Sequence, residues 1–307
     1  MSITIIKPGI SSSIQDLGRW GHQRYGVPIG GAMDKASASH ANSICGNDEH
    51  EAVIEMTLHG TSIMFNESTY CAIVGGGCRA YIDEIELPFN RLVHVPANST
   101  MNTKADASGC RSYLAVAGGL NIIKEMGSAS TYVPSHIGGV DGRNLKTDDI
   151  IEFKKNQLSI KPGSLIKLGK NIEVSQWEIT GLQPLKDSPV AIQVLRGPEY
   201  DWFDERSQTN FFNTVFTITP QSNRIGYRLE GISLGLKEHI EMISTPVTSG
   251  IIQVDNQGNP IILMADAQTI GGYPRIARVC SSDIALLAQL RLGEKIRFRE
   301  SEEDGNC

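Results

Sequence analysis

Gly250-Ile-Ile-Gln-Val254, Asp255-Asn-Gln-Gly258, Pro260-Ile-Ile-Leu-Met264 and Ala265-Asp-Ala-Gln-Thr269-Ile-Gly-Gly-Tyr-Pro274-Arg-Ile276 follow one another near the C-terminal end of the chain. Two apolar runs flanking an Asn/Gln/Gly turn predict a β-hairpin, and its second strand delivers Asp266, Gln268 and Thr269 to a bent loop. Gly271-Gly272 can take backbone angles that other residues avoid, while Pro274 fixes its own φ, so a polar cluster is expected on a rigid bend. A tight barrel corner with no ligand is the structural alternative.

A second polar island lies upstream, Pro220-Gln-Ser-Asn-Arg224-Ile-Gly-Tyr-Arg228-Leu-Glu-Gly231. Read as a strand, it puts Arg224 and Arg228 on one side, because side chains alternate with period two. Two guanidinium groups on one face suit an anion or carboxylate clamp; a solvated strand face is the alternative.

These two islands resemble the KipA-type family, which comprises the C component of 5-oxoprolinases and is also called allophanate hydrolase subunit 2. It is related to the carboxyltransferase region of urea carboxylase. Ile6-Lys-Pro-Gly9, Gln15-Asp-Leu-Gly-Arg19, Gly26-Val-Pro28, Gly30-Gly-Ala-Met-Asp34 and Ser112-Tyr-Leu-Ala-Val-Ala-Gly-Gly119 look like that family in the same order. The resemblance covers nearly the whole chain and weakens around residues 155 to 190.

The chain has 307 residues with a formal net charge of −6, and no basic cluster marks a nucleic-acid surface. No stretch approaches the roughly 20 continuous apolar residues that span a bilayer. Lys7-Pro8-Gly9 interrupts the short apolar start, which speaks against a signal peptide and for a cytoplasmic protein. The six cysteines are scattered, with no Cys-x-x-Cys and no histidine at ligand spacing, so no metal site is expected. Cys78, beside Val74-Gly-Gly-Gly77, has no base nearby in sequence and reads as a packing residue.

Short apolar runs separated by turn residues fill residues 52 to 153, the pattern of a sandwich or barrel. Asp34 is expected to cap a helix over Lys35 to Cys45 that Gly46 stops. A second helix is expected over Ser282 to Gln289, capped by Ser281 or Ser282. The expected organisation is an N-terminal β domain over 1–153, a connector over 154–189 with a strand or two of its own, a C-terminal β domain over 190–300 and an acidic tail over 301–307. The class is mostly β with about one short helix per domain; the resemblance implies two cyclophilin-like β-barrel domains.

Among polar residues of the N-terminal half, Arg19 stands between Gly18 and Gly21, which points to close approach of a ligand or of another part of the protein. Glu55 and Thr57 share a strand face, more the mark of a satisfied polar core than of an acid–base pair. Asp266, at the end of an apolar strand, is the carboxylate best placed for proton transfer or for organising magnesium. Arg224, Arg228 and Arg275 would stabilise phosphate or a substrate carboxylate, and Gln221, Gln268, Thr269 and Tyr273 would orient an amide; Arg19 is a further candidate for substrate binding.

No Gly-x-x-x-x-Gly-Lys-Ser/Thr loop is present, nor a Met-Lys-Met biotin-attachment site, nor a Ser/Ser/Lys amidase signature. The resemblance implies a component of an ATP-dependent 5-oxoprolinase, with ATP and Mg acting at the level of the complex and no biotin attached to this chain. It also implies two partner proteins, a KipI-type homologue of related fold and a lactam hydrolase of the LamB/YcsF type. The second reading is a carboxyltransferase component of a biotin-dependent amide or urea carboxylase, and the third a regulatory antagonist of a histidine-kinase inhibitor.

Overall fold

The computed structural model describes residues 1–106, 108–155, 158, 163–169, 171–180, 188–238 and 240–301. The chain is mostly β and divides into two units. The first comprises Met1–Arg19 and Asp34–Pro184, the second Trp20–Met33 and Leu185–Cys307. Segment 20–33 thus belongs with the C-terminal half, although it lies within the range expected for the N-terminal domain.

The first unit is built on two sheets, of six and seven strands. In Ser2–Pro8, Ile3 and Ile5 are fully buried and their neighbours are not, the period-two pattern of a strand with one face on a core. Arg111–Val116 is buried at every position, because it sits between Val53–Thr57 and Thr69–Gly75 and the first helix packs over it. That helix, α1, spans Lys35–Ile44. The Asp34 carboxylate caps it, accepting from the Ser37 backbone N–H at 2.9 Å and from the Ser37 hydroxyl at 2.6 Å. Gly46 follows the end at φ 66°, the left-handed position where a Cβ would be strained. Two strands of the expected connector, Leu165–Gly169 and Ile172–Ser175, extend the seven-stranded sheet, so this stretch is part of the first unit. Of the acidic tail, all but Ser301 lies outside the described residues.

The second unit holds a closed seven-stranded barrel. All its strand pairs are antiparallel except Val190–Arg196 with Lys295–Glu300. The expected hairpin is present as Ile251–Val254 and Pro260–Leu263, with Ile252 opposite Ile262. Asp255 shapes its turn, one carboxylate oxygen accepting from the backbone N–H groups of Gln257 and Asn259. Among the described residues this unit has two α-helices, not one. Helix α2, Glu205–Asn213, is capped by Asp204 through the Ser207 N–H at 2.7 Å, and its Phe211 stacks on Phe298 with centroids 4.5 Å apart. Helix α3, Ser281–Gln289, starts one residue earlier than expected; its N-cap position is Cys280, which makes no side-chain capping bond.

Candidate functional site

Asn223 decides the local geometry of the Arg224 island. Its side-chain oxygen accepts from the backbone N–H of Ile225 at 2.8 Å and of Gly226 at 3.3 Å, an Asx turn that delays the strand to Gly226–Glu230. Arg224 therefore stands on a turn before the strand, and the one-sided arginine pair expected from strand alternation does not form. Arg224 instead reaches Asp266, with Nε donating to Oδ2 at 2.8 Å and Nη2 to Oδ1 at 3.0 Å, and Nη2 also donates to the Gly31 carbonyl at 2.6 Å. The backbones join too, the Asp266 N–H donating to the Arg224 carbonyl at 2.9 Å. This geometry makes Asp266 the anchor of a charge-assisted fork. Such a carboxylate does not suit a magnesium ligand, and among the described residues no group of three or more His, Cys, Asp or Glu side chains is gathered to hold a metal ion.

Arg275 is anchored in the same way. Its Nε and Nη2 donate to the two carboxylate oxygens of Glu199 at 2.7 and 2.6 Å, and its backbone N–H donates to Glu199 at 3.0 Å. These bonds raise its pKa above the ordinary arginine value. Glu199 carried no sequence signal, because 76 residues separate it from Arg275. Arg228, by contrast, is exposed on Gly226–Glu230, and its guanidinium has no hydrogen bond or ion pair among the described residues.

Between these anchors runs the loop 265–274. Gln253, only 2% exposed on Ile251–Val254, donates from Nε2 to the Tyr273 carbonyl at 3.1 Å. Gln268, exposed, donates from Nε2 to the Gln253 Oε1 at 3.4 Å. The Thr269 carbonyl accepts from the Val247 N–H, and Ile270–Gly271 pairs with Thr245–Pro246. Tyr273 is 38% exposed, and Gln221 is exposed in the turn before Arg224. Gly271 and Gly272 do not use positive φ. A Cβ at Gly271 would stand 2.6 Å from the Gln253 Nε2, so a side chain there would displace the Gln253 amide.

Arg19 belongs to the first unit and is 1% exposed. Its Nε donates to the Glu125 carbonyl at 3.0 Å and its Nη2 to the Ser130 carbonyl at 2.9 Å. Asp16 completes this clamp by accepting from the Ser128 hydroxyl at 2.7 Å and the Ala129 N–H at 2.6 Å. Arg19 thus ties loops together and does not face out as a substrate ligand. Glu55 is likewise committed, accepting from the Tyr113 hydroxyl at 2.8 Å, while burial, with the Glu55 charge next, pushes the Tyr113 pKa well up.

The mostly-β architecture with its closed barrel is shared with solved urea carboxylase and urea amidolyase chains, which places the protein in the carboxyltransferase class. Residues 25–300 match the family model "Carboxyltransferase domain, subdomain A and B", and the chain belongs to that family. It is 36% identical to the C component of 5-oxoprolinase from Escherichia coli (strain K12) over 296 residues, 96% of this chain and 90% of that relative. Urea amidolyase of Saccharomyces cerevisiae is 33% identical over 307 residues, 97% of this chain but 16% of that relative. The solved urea amidolyase of K. lactis matches with a TM-score of 0.85 at 27% identity, covering 97% of this chain and 18% of that one.

Proposed function

We propose that this chain is the C component of an ATP-dependent 5-oxoprolinase, which opens the 5-oxoproline lactam to glutamate. The observation that carries this reading is the match in length: the chain is co-extensive with 90% of a relative named as that component. A KipI-type homologue and a lactam hydrolase protein would complete the enzyme. ATP, with magnesium, would supply the phosphoryl group that turns the lactam oxygen into a leaving group, since an unstrained amide is a poor electrophile. Asp266 is committed to Arg224, and the magnesium would act with ATP at the level of the complex.

Of Arg224, Arg228 and Arg275, Arg228 is the one left exposed, and it would meet the substrate carboxylate or a developing phosphate charge. Arg224 and Arg275, with Asp266 and Glu199, hold the ends of the loop that offers Gln268, Thr269 and Tyr273. They are positioning residues. The similarity to urea amidolyase favours a second reading, a carboxyltransferase acting on an amide or urea.

Reconstitution tests the choice. Glutamate and ADP formation from 5-oxoproline is expected from the three proteins together and from no mixture lacking this chain. Cleavage at an undiminished rate without it would overturn the proposal, and biotin-dependent carboxylation of urea in its place would establish the second reading.

A further inference from the structure

The two amides beside the loop fix each other's direction. The Tyr273 backbone carbonyl can only accept, so the Gln253 amide must turn its Nε2 toward it, at 3.1 Å. Rotation of that amide would set oxygen against oxygen in a site only 2% exposed. Gln253 Oε1 is then the acceptor that Gln268 meets, and Gln268 must answer with its own Nε2, at 3.4 Å. The exposed Gln268 amide then keeps its Oε1, which accepts no hydrogen bond among the described residues, and the second hydrogen of its Nε2.

We infer that the Tyr273–Gln253–Gln268 chain is a polarity filter that presents Gln268 Oε1 as an oriented acceptor for the ring N–H of a cyclic amide. A free glutamine exchanges its oxygen and nitrogen by rotation; here the bond to Gln253 holds the oxygen in one place, with the second Nε2 hydrogen beside it. Gly271 belongs to the device, because any larger residue would push into the Gln253 amide. The ligand chemistry is an N–H next to a ring carbonyl, found in a lactam and in a cyclic urea. Gln268 would touch the ligand, and Gln253 acts through it as a positioning residue. This inference rests on the proposed 5-oxoprolinase reading for the choice of the lactam, not for the N–H preference itself.

The test is equilibrium binding to the assembled complex with a non-hydrolysable ATP analogue present. One arm compares 5-oxoproline with its lactone analogue, in which oxygen replaces the ring N–H; the other compares 2-imidazolidinone with ethylene carbonate. The wild-type protein is expected to prefer the N–H compound at least about tenfold in one arm, since a site with a fixed polar group rejects the analogue that leaves it unpaired. Gln268→Leu should bring that ratio close to one by weakening the N–H compound alone. Gln253→Leu and Gly271→Ala should reduce it several-fold, with binding of the oxygen analogue retained as evidence of folding. Preference confined to the cyclic-urea arm would keep the filter and overturn the oxoprolinase reading. A lactam preference that survives Gln268→Leu, or no N–H preference in either arm, would overturn the filter.

Discussion

Arg224 and Asp266, 42 residues apart, close on each other through two parallel hydrogen bonds at 2.8 and 3.0 Å while the Asp266 carboxylate is almost wholly buried. The pair joins the Asn223 turn to the start of the 265–274 loop and, through the Gly31 carbonyl, to segment 20–33 of the same unit. Its two charges are therefore structural supports for whatever the loop binds.

Removing one partner leaves the other charge poorly solvated. Asp266→Ala is expected to destabilise the protein by about 2–3 kcal/mol, below the full cost of breaking a dry ion pair because Arg224 is partly exposed. Urea unfolding of the single variants and of the Arg224→Ala/Asp266→Ala double variant measures this, the double costing less than the sum. Strict additivity would show that the fork contributes no coupling.

Arg228 and Arg275 should behave differently from one another. Arg275→Ala strands the buried Glu199 carboxylate and is expected to cost about 2–3 kcal/mol. The exposed Arg228, whose guanidinium meets no partner among the described residues, should be replaceable by alanine with a change of about 0.5 kcal/mol or less. Equal losses would mean that Arg228 has a structural role.

Burial sets an alkaline limit to stability. The Cys71 thiol is pushed up to about 12 and Cys78 to about 11 from 9.0, while Cys45 and Tyr113 are also raised. Folded, these groups keep their protons; unfolded, the thiols ionise first. Their stabilisation is thus fully present below the unfolded values and lost as pH rises through the window up to the folded ones. Between about pH 8 and pH 10.5 the unfolding free energy under reducing conditions should fall by a few kcal/mol. A flat profile over that interval would contradict the assignment.

The same burial makes Cys78 a poor nucleophile at neutral pH, although it stands beside the glycine run 75–77. Cys78→Ser is expected to keep activity within several-fold in the assembled enzyme. A fall beyond about a hundredfold with the fold intact, roughly 2.7 kcal/mol of barrier, would make the thiol part of the chemistry.

Local signals in the sequence are readable where the structure is local. Asp34 and Gly46 bracket α1 as capping chemistry requires, and the hairpin around Asp255–Gly258 follows from its turn residues. Helix α2 carries the same kind of signal, Asp204 followed by Ser207, but it is only nine residues long and its apolar content is confined to Phe211-Phe212 near its end. Strand alternation misplaces Arg224 because the Asn223 side chain replaces backbone pairing just before the strand. The partners that settle the roles of Arg224, Arg275 and Arg19 are separated from them by 42, 76 and more than a hundred residues. No periodicity reports such contacts.

The most direct test of the account is kcat/KM for 5-oxoproline-dependent glutamate formation by the complete enzyme carrying Arg228→Ala, read beside its thermal unfolding. A loss of about a hundredfold or more with an unchanged unfolding transition is predicted. A wild-type kcat/KM would contradict the claim that the exposed Arg228 guanidinium of this barrel meets the substrate.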